Sequence, residues 1–192
     1  MVRKRASGRD RVSDAPDAGP EPDAYEVARL MALRRLDYKA QTRAELQTHL
    51  LGKGVSAEDT EQVLNRFEDV GLLDDQRYAQ AWAQSRHGNR YHSRRLIQQE
   101  LRRKGVDDEL IEEVVADIDH ESELAAAKAM IDRKAASMSG LPREVAFRRL
   151  SGMLARKGYG PQVVVPVVRD LLQALAADEG DEAGDWPGET LP

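Results

Sequence analysis

One stretch of the sequence is dense in side chains that bind anions. Residues 86–106 contain seven Lys or Arg and two His against a single acid, Glu100, although the whole chain has a net charge of -5. Guanidinium forks and ammonium groups suit the recognition of phosphates and carboxylates. We therefore predict that this stretch contacts a polyanion or a charged filament. The predicted contact residues are Arg86, Arg90, Tyr91, Arg94, Arg95, Arg102, Arg103 and Lys104.

The same charges have a second interpretation, in which they form a solvated surface. The helix predicted after the basic stretch is acidic, and its carboxylates would then pair with the arginines. Tyr91 also has two interpretations: its ring either stacks on a base or packs against the preceding helix. The acids concerned are Asp107, Asp108, Glu109, Glu112 and Glu113. The residues alone leave both interpretations open.

No group of residues in the sequence predicts a catalytic or metal site. The chain has no cysteine, which excludes disulfides, thiolate nucleophiles and cysteine-based zinc sites. It has no phosphate-binding glycine loop, and its four histidines lack the helical spacing of metal ligands. The acid pairs at 74–75 and 107–108 stand where helices are predicted to begin, which favours helix capping over metal binding. We therefore expect a protein that is not an enzyme and needs no cofactor.

Three copies of one helical pattern run through the middle of the chain. Apolar residues recur at helical spacing with no strand-like alternation, and Lys-Gly pairs recur at 53–54, 104–105 and 157–158. Helix termination alone explains these pairs, because a cation favours a helix C-terminus and glycine favours the left-handed cap. When the pairs are aligned, apolar residues coincide at Leu46, Ile97 and Leu150, and at Leu50, Leu101 and Leu154. The pattern predicts an all-α fold, an elongated array of three tandem three-helix repeats.

Polar residues at the predicted helix starts support this division. Thr42, with Glu45 completing a capping box, Ser56, Ser93 and Asp107 are predicted N-caps. The predicted segments are a disordered tail at 1–23, repeat 1 at 24–74, repeat 2 with the basic central helix at 75–119, repeat 3 at 120–176, and a disordered acidic tail at 177–192. In repeat 3, Pro166 is predicted to break or kink the last helix.

The location expected from the sequence is the cytoplasm. No apolar run approaches the roughly 18 residues that a membrane span needs. The basic N-terminus is followed by small and polar residues rather than by the apolar segment of a signal peptide. We therefore expect a monomer without membrane contacts.

Three groups of residues resemble the RecX family of regulatory proteins in their order and spacing. The resemblance covers roughly residues 25 to 175. The groups are Thr42-Arg43-Ala44-Glu45-Leu46 with Leu50 and Lys53-Gly54; Gly71-Leu72-Leu73-Asp74-Asp75 with Tyr78-Ala79; and Arg86, Tyr91, Arg94, Arg95 and Leu96 with Glu100, Leu101, Lys104 and Gly105.

The resemblance implies a modulator, usually an inhibitor, of the RecA recombinase. Members of the family are curved arrays of three-helix repeats that lie in the groove of the RecA filament on DNA. There they bridge RecA subunits, oppose filament growth and lower ATP hydrolysis and strand exchange. The implied partners are the RecA filament and DNA, single- or double-stranded, which the protein alone would bind weakly and in a salt-dependent manner.

Two other functions are compatible with the sequence. A helical DNA-binding protein that acts independently of RecA would bind naked DNA tightly at physiological salt. A passive helical scaffold for another protein would respond neither to DNA nor to RecA.

Overall fold

The computed structural model describes residues 23–178, and within this range the chain is helical, without strands. The predicted all-α fold is therefore confirmed. The predicted tails lie outside the described residues, apart from Asp23 and the last two residues of the final helix. A π-helical turn occupies Ser85–Asn89 and a 3-10 turn Ala135–Ser137. The α-helices are α1 (Ala24–Tyr38), α2 (Arg43–Gly52), α3 (Ala57–Asp69), α4 (Asp75–Gln84), α5 (Arg94–Arg103), α6 (Asp108–Val114), α7 (His120–Asp132), α8 (Arg143–Ala155) and α9 (Pro161–Asp178).

The helices are grouped in threes, and each group surrounds its own core. Unit 1 consists of α1–α3, unit 2 of α4–α6 and unit 3 of α7–α9. The apolar residues that coincide in the sequence repeat form the centres of these cores, where each contributes about 1.5–3 kcal/mol through burial. Leu46, Leu50, Ile97, Leu101, Leu150 and Leu154 are all fully buried. The predicted array of three three-helix repeats is confirmed.

Helix starts follow the cap residues identified in the sequence. Thr42 and Glu45 form the reciprocal capping box at the start of α2. The hydroxyls of Ser56 and Ser93 accept hydrogen bonds from the backbone N–H groups three residues on, at the starts of α3 and α5. Asp107 caps α6. Each cap satisfies a backbone donor that the helix leaves unpaired, a contribution of about 1 kcal/mol.

Units 1 and 2 meet where the start of α2 touches the end of α5. The Thr42 hydroxyl donates a hydrogen bond of 2.6 Å to the backbone carbonyl of Lys104. Gly105 follows with a φ of +74°, and a β-carbon at this position would collide with the Cβ of Ala44. Glycine is therefore required here twice, once by its conformation and once by the close approach of the two helices. We call this contact the first joint.

Units 2 and 3 meet in the same way, at the start of α5 and the end of α8. The Ser93 backbone N–H donates a hydrogen bond of 2.9 Å to the carbonyl of Lys157. A β-carbon at Gly158 would collide with the Ser93 hydroxyl and would lie 2.8 Å from the Cβ of Leu96. This second joint repeats the first, with the cap of one middle helix seated on the Lys-Gly end of the next.

A carboxylate from the first helix of the following unit supports each joint. Asp75 accepts a hydrogen bond of 2.8 Å from the backbone N–H of Arg43, while its neighbour Asp74 caps α4. Glu123 on α7 accepts one of 2.9 Å from the N–H of Arg94. Both acids thereby satisfy an unpaired donor in the first turn of a middle helix. Both acids of the pair at 74–75 therefore have structural roles, Asp74 as a helix cap and Asp75 as a support of the first joint.

Helix termination alone does not account for the recurring Lys-Gly pairs. The pairs at 104–105 and 157–158 also hold neighbouring units together through the two joints. The pair at 53–54 ends α2 with Gly54 at a φ of +84°, and a β-carbon there would meet nothing within 4 Å. Of the three Lys-Gly pairs, the one at 53–54 alone serves only to end a helix within the described part of the chain.

Unit 3 departs from the predicted pattern at two helices. Of the two outcomes predicted for Pro166, a break or a kink, the break is wrong, because α9 begins at Pro161 and continues to Asp178; the kink stays a prediction. Pro166 lacks the backbone N–H for one helical hydrogen bond, but it lies on the exposed face, while the core contains Val163, Val164, Val167 and Val168. Helix α8 has 13 residues, against 10 in α2 and α5, and begins after Pro142, which provides no side-chain cap.

Candidate functional site

The basic stretch begins in an irregular connection between α4 and α5. Helix α4 ends at Gln84 and passes into the π-helical turn Ser85–Asn89, and Tyr91 then has a φ of +55°. That conformation is uncommon for a residue with a β-carbon, and π-helical turns are frequent at functional sites. The chain folds back here because the His92 N–H donates a hydrogen bond of 3.0 Å to the Arg86 carbonyl.

Glu100, the lone acid of the basic stretch, is the centre of a cluster between α4 and α5. Its Oε2 accepts a hydrogen bond of 2.8 Å from the Trp82 indole and lies 3.1 Å from Arg86 Nε. Its Oε1 lies 3.1 Å from His92 Nδ1. The Arg86 guanidinium also lies 4.0 Å from the centre of the Trp82 ring, and only 18% of its side chain is exposed. Arg86 therefore holds unit 2 together rather than facing outward.

Lys104 is directed into the first joint. Its Nζ lies 2.7 Å from Glu45 Oε1 and 4.4 Å from the centre of the Trp82 ring, with 13% of the side chain exposed. Burial acts to lower the pKa of Lys104, but hydrogen bonds with Glu45 and Tyr78 outweigh it and the pKa is raised. The ammonium group is therefore committed to the contact between units 1 and 2.

Arg94 and Arg102 pair with acids of α6. Arg94 Nη2 lies 3.1 Å from Glu112 Oε2, and Arg102 Nε lies 2.7 Å from Asp108 Oδ1. The two arginine side chains are 36% and 47% exposed. Such exposed pairs contribute about 0–1 kcal/mol, so a phosphate or another carboxylate can replace the acid at little cost. Both expected roles, the solvated surface and the contact surface, remain available to these two residues.

Arg90, Arg95 and Arg103 are exposed and have no ion-pair partner among the described residues. Tyr91 is half-buried, and the guanidinium of Arg133, beyond the end of α7, lies 5.2 Å from the centre of its ring. The structure thus divides the seven cations among the predicted contact residues into outward cations, exchangeable pairs and inward supports, with Tyr91 packed beside Arg133. The outward cations are the part free to meet a polyanion.

Sequence reasoning missed the residues that hold Arg86 and Lys104 in place. The role of Glu100 could have been predicted, because it is the one acid in a basic stretch. The role of Trp82 could also have been predicted, because it stands one helical turn before Arg86. The contact of Glu45 with Lys104 could not, because 59 residues separate the two in the sequence. Local spacing cannot report such a contact.

Two further features are absent from residues 23–178. No group of three or more His, Asp or Glu side chains is placed to hold a metal ion. None of the helices there is long and apolar enough to span a bilayer. The fold and the site together define an all-α repeat protein with exposed, unpaired arginines on its middle unit.

Comparison with known proteins places this array in a family. Residues 28–67 match the family model of the first three-helix domain of RecX, and residues 74–115 match that of the second. These ranges fall in units 1 and 2. A regulatory protein RecX of Streptomyces coelicolor is 42% identical over 173 residues, covering 88% of this chain and 92% of the relative. The chain therefore belongs to the RecX family, as the resemblance predicted.

Other similar proteins extend the match over most of the chain. The regulatory protein RecX of Thermobifida fusca is 40% identical over 187 residues, covering 97% of each chain. The crystal structure of RecX from Lactobacillus salivarius superposes with a TM-score of 0.68 at 19% identity, over 78% of this chain and 97% of that chain. A second RecX crystal structure gives a TM-score of 0.66 at 21% identity, over 77% and 74%. These two likenesses establish the fold.

Proposed function

We propose that this RecX-family protein regulates the RecA recombinase by binding the RecA filament on DNA. Bound there, it opposes filament extension and lowers ATP hydrolysis and strand exchange, acting in the cytoplasm as a monomer without catalytic chemistry. The observation that carries the proposal is the relation to proteins named as regulatory protein RecX, which covers up to 97% of the chain.

The repeated architecture supports this mode of action. Three units with separate cores are joined end to end, so that their outer surfaces lie in series along the array. Once one unit contacts a filament subunit, the others are held at a high effective concentration near neighbouring subunits. Modest contacts on each unit would then add up to strong binding without any deep pocket.

The outward arginines of unit 2 are the proposed contact surface. Arg90, Arg95 and Arg103 offer charge without first breaking an internal ion pair, and Arg94 and Arg102 can exchange exposed carboxylates for phosphates. Arg86 and Lys104 act indirectly by holding the π-helical turn and the first joint. Binding of this kind weakens as salt rises, because it releases counterions from the polyanion.

The test is RecA ATP hydrolysis on single-stranded DNA, with the protein titrated below the RecA concentration. Wild type should inhibit well below one protein per RecA. The triple variant R90A/R95A/R103A should require roughly tenfold or more protein, since three contacts of about 0.5–1 kcal/mol each are lost.

The matched control is R66A/R77A/R148A, which removes three other exposed arginines without ion-pair partners in the described range. It should inhibit like wild type. If both triple variants inhibit like wild type, the assigned surface is wrong. If wild type itself has no effect on hydrolysis, the proposed function is wrong.

The alternative function, DNA binding independent of RecA, is favoured by the same unpaired arginines. Titration of labelled duplex and single-stranded DNA at physiological salt separates the two. Tight binding in the absence of RecA, with inhibition only once the DNA is saturated, would favour the alternative.

A further inference from the structure

A second basic surface lies on unit 1, away from the stretch singled out in the sequence. A shallow basin between α1 and α2 is lined by Met31, Arg34, Arg35, Tyr38, His49 and Lys53. Four of these six residues are basic and none is acidic. The residues come from α1 and from α2 with its C-cap Lys53, and only Arg34 and Arg35 are adjacent, so the sequence shows no long basic run here.

The positive charge of this basin is not neutralised by nearby acids. Arg34 and Lys53 are exposed and have no ion-pair partner within the described part of the chain. Arg35 Nε donates a hydrogen bond of 3.2 Å to the amide oxygen of Gln41, which leaves its charge in place. The pKa of His49 is lowered, first by burial and then by the charges of Arg35 and Lys53. The basin is therefore electropositive and ready for an anion.

An aromatic ring stands at its edge. Tyr38 ends α1 with 83% of its surface exposed, one helical turn after Arg34. The favourable interaction of cations with helix C-termini explains why Lys53 and Arg35 stand where they do. It does not explain the ring beside them, which buries little of its own surface in the described structure.

We propose that Arg34, Tyr38 and Lys53 form a binding site for single-stranded nucleic acid on unit 1. One base stacks on the Tyr38 ring, and the adjoining phosphates lie against Arg34 and Lys53. An open aromatic ring flanked by unpaired cations is the constellation that takes unpaired bases without sequence preference. A duplex offers no free base face to the ring, and an acidic peptide uses the cations but not the ring.

The site concerns nucleic acid alone, so its test contains no RecA and is independent of the proposed regulation. Binding of a fluorescent oligothymidine of about 20 nucleotides to the full-length chain is followed by anisotropy over a range of salt concentrations. Y38A should weaken binding roughly 5- to 150-fold, the effect of losing one stacked base. Y38F should bind like wild type, because stacking needs the ring and not the hydroxyl.

The double variant R34A/K53A tests the phosphate contacts. It should lower the slope of log affinity against log salt by about 1.4, since each phosphate contact to a single strand contributes about 0.7. The charge-matched control R66A/R148A should leave the slope unchanged. In the wild-type protein, an oligonucleotide carrying 5-iodouracil should cross-link to the tryptic segment 36–39, which contains Tyr38.

Three results would overturn the site. The first is no binding of the oligonucleotide by wild type at low salt. The second is wild-type affinity in both Y38A and R34A/K53A, with cross-links elsewhere. The third is that a synthetic peptide of the acidic residues 178–192 binds wild type but not R34A/K53A, while oligonucleotide binding is the same in both. The basin would then be a site for an acidic peptide.

Discussion

Glu100 determines which cations of the basic stretch face outward. It accepts a hydrogen bond from Trp82 and neutralises Arg86, which places that arginine over the indole ring. Arg86 is held inward, and the backbone then leads from the π-helical turn into α5. Arg90 and Arg95 are exposed to solvent on either side of this connection. A single acid in a basic stretch thus has a structural role that the count of charges conceals.

Replacing this acid should cost stability although the surface stays basic. In E100Q the amide oxygen can still accept from Trp82, but the 18% exposed Arg86 loses its counter-charge. We expect the free energy of unfolding in urea to fall by about 1–3 kcal/mol.

The control is E112Q, which removes the exposed partner of Arg94 and Arg102. It should change the free energy of unfolding by less than about 1 kcal/mol. Equal effects of the two substitutions would show that Glu100 is no more than another surface acid.

At the scale of helices, the joints are the feature that makes an array out of three bundles. Each joint seats the N-terminus of a middle helix on the C-terminus of the next, so that opposite ends of two helix dipoles meet. The first joint adds the Thr42 hydroxyl and the second the Ser93 N–H as donors to a Lys carbonyl. Glycine after that lysine permits both the left-handed turn and the close approach.

Two glycines with similar φ separate these requirements. Gly54 and Gly105 have φ values of +84° and +74°, but only Gly105 touches another unit, at Ala44. G54A should destabilise by about 1–2 kcal/mol from conformation alone. G105A should cost at least about 1 kcal/mol more, because α5 must also move away from α2. Urea unfolding of both variants checks this, and equal losses would argue against the joint.

The sequence predicted the features that depend on local rules and missed those that depend on distant contacts. The caps at Thr42, Ser93 and Asp107 and the buried positions of the repeat followed from spacing and residue type. The joints could not be predicted, because Lys104 and Glu45 are far apart in the chain. A break at Pro166, one of the two predicted outcomes, does not occur, because the core that packs against the valines of α9 holds the helix together.

At the scale of the whole molecule, stability is distributed among three cores and two joints. Each unit has a small core of its own, so neighbouring units supply part of the stability of each. Destabilising one unit should therefore weaken the joint that it shares with its neighbour more than it weakens the core of that neighbour. Hydrogen exchange can follow this unit by unit.

L154A tests this coupling. It removes a fully buried side chain from unit 3, at a cost of about 2–5 kcal/mol. The Ser93 N–H belongs to unit 2 but bonds to the Lys157 carbonyl of unit 3, so it should exchange faster in the variant. The Ile97 N–H, bonded to Ser93 within α5, should be affected less. Equal acceleration at both amides would mean that the array opens as a single cooperative body.

The joints also bear on how such a chain can lengthen by gene duplication. Unit 2 carries both halves of the contact, a hydroxyl cap at the start of its middle helix and a Lys-Gly pair at the end. A tandem copy of unit 2 would repeat both halves, but Leu96 would stand where Glu45 meets Lys104, so an acid at that position would be the one substitution needed. A copy inserted after unit 3 would meet Pro142 at the start of α8, which offers neither a hydroxyl nor an N–H. In-frame growth of the array is thus favoured between units 1 and 3 and disfavoured beyond unit 3.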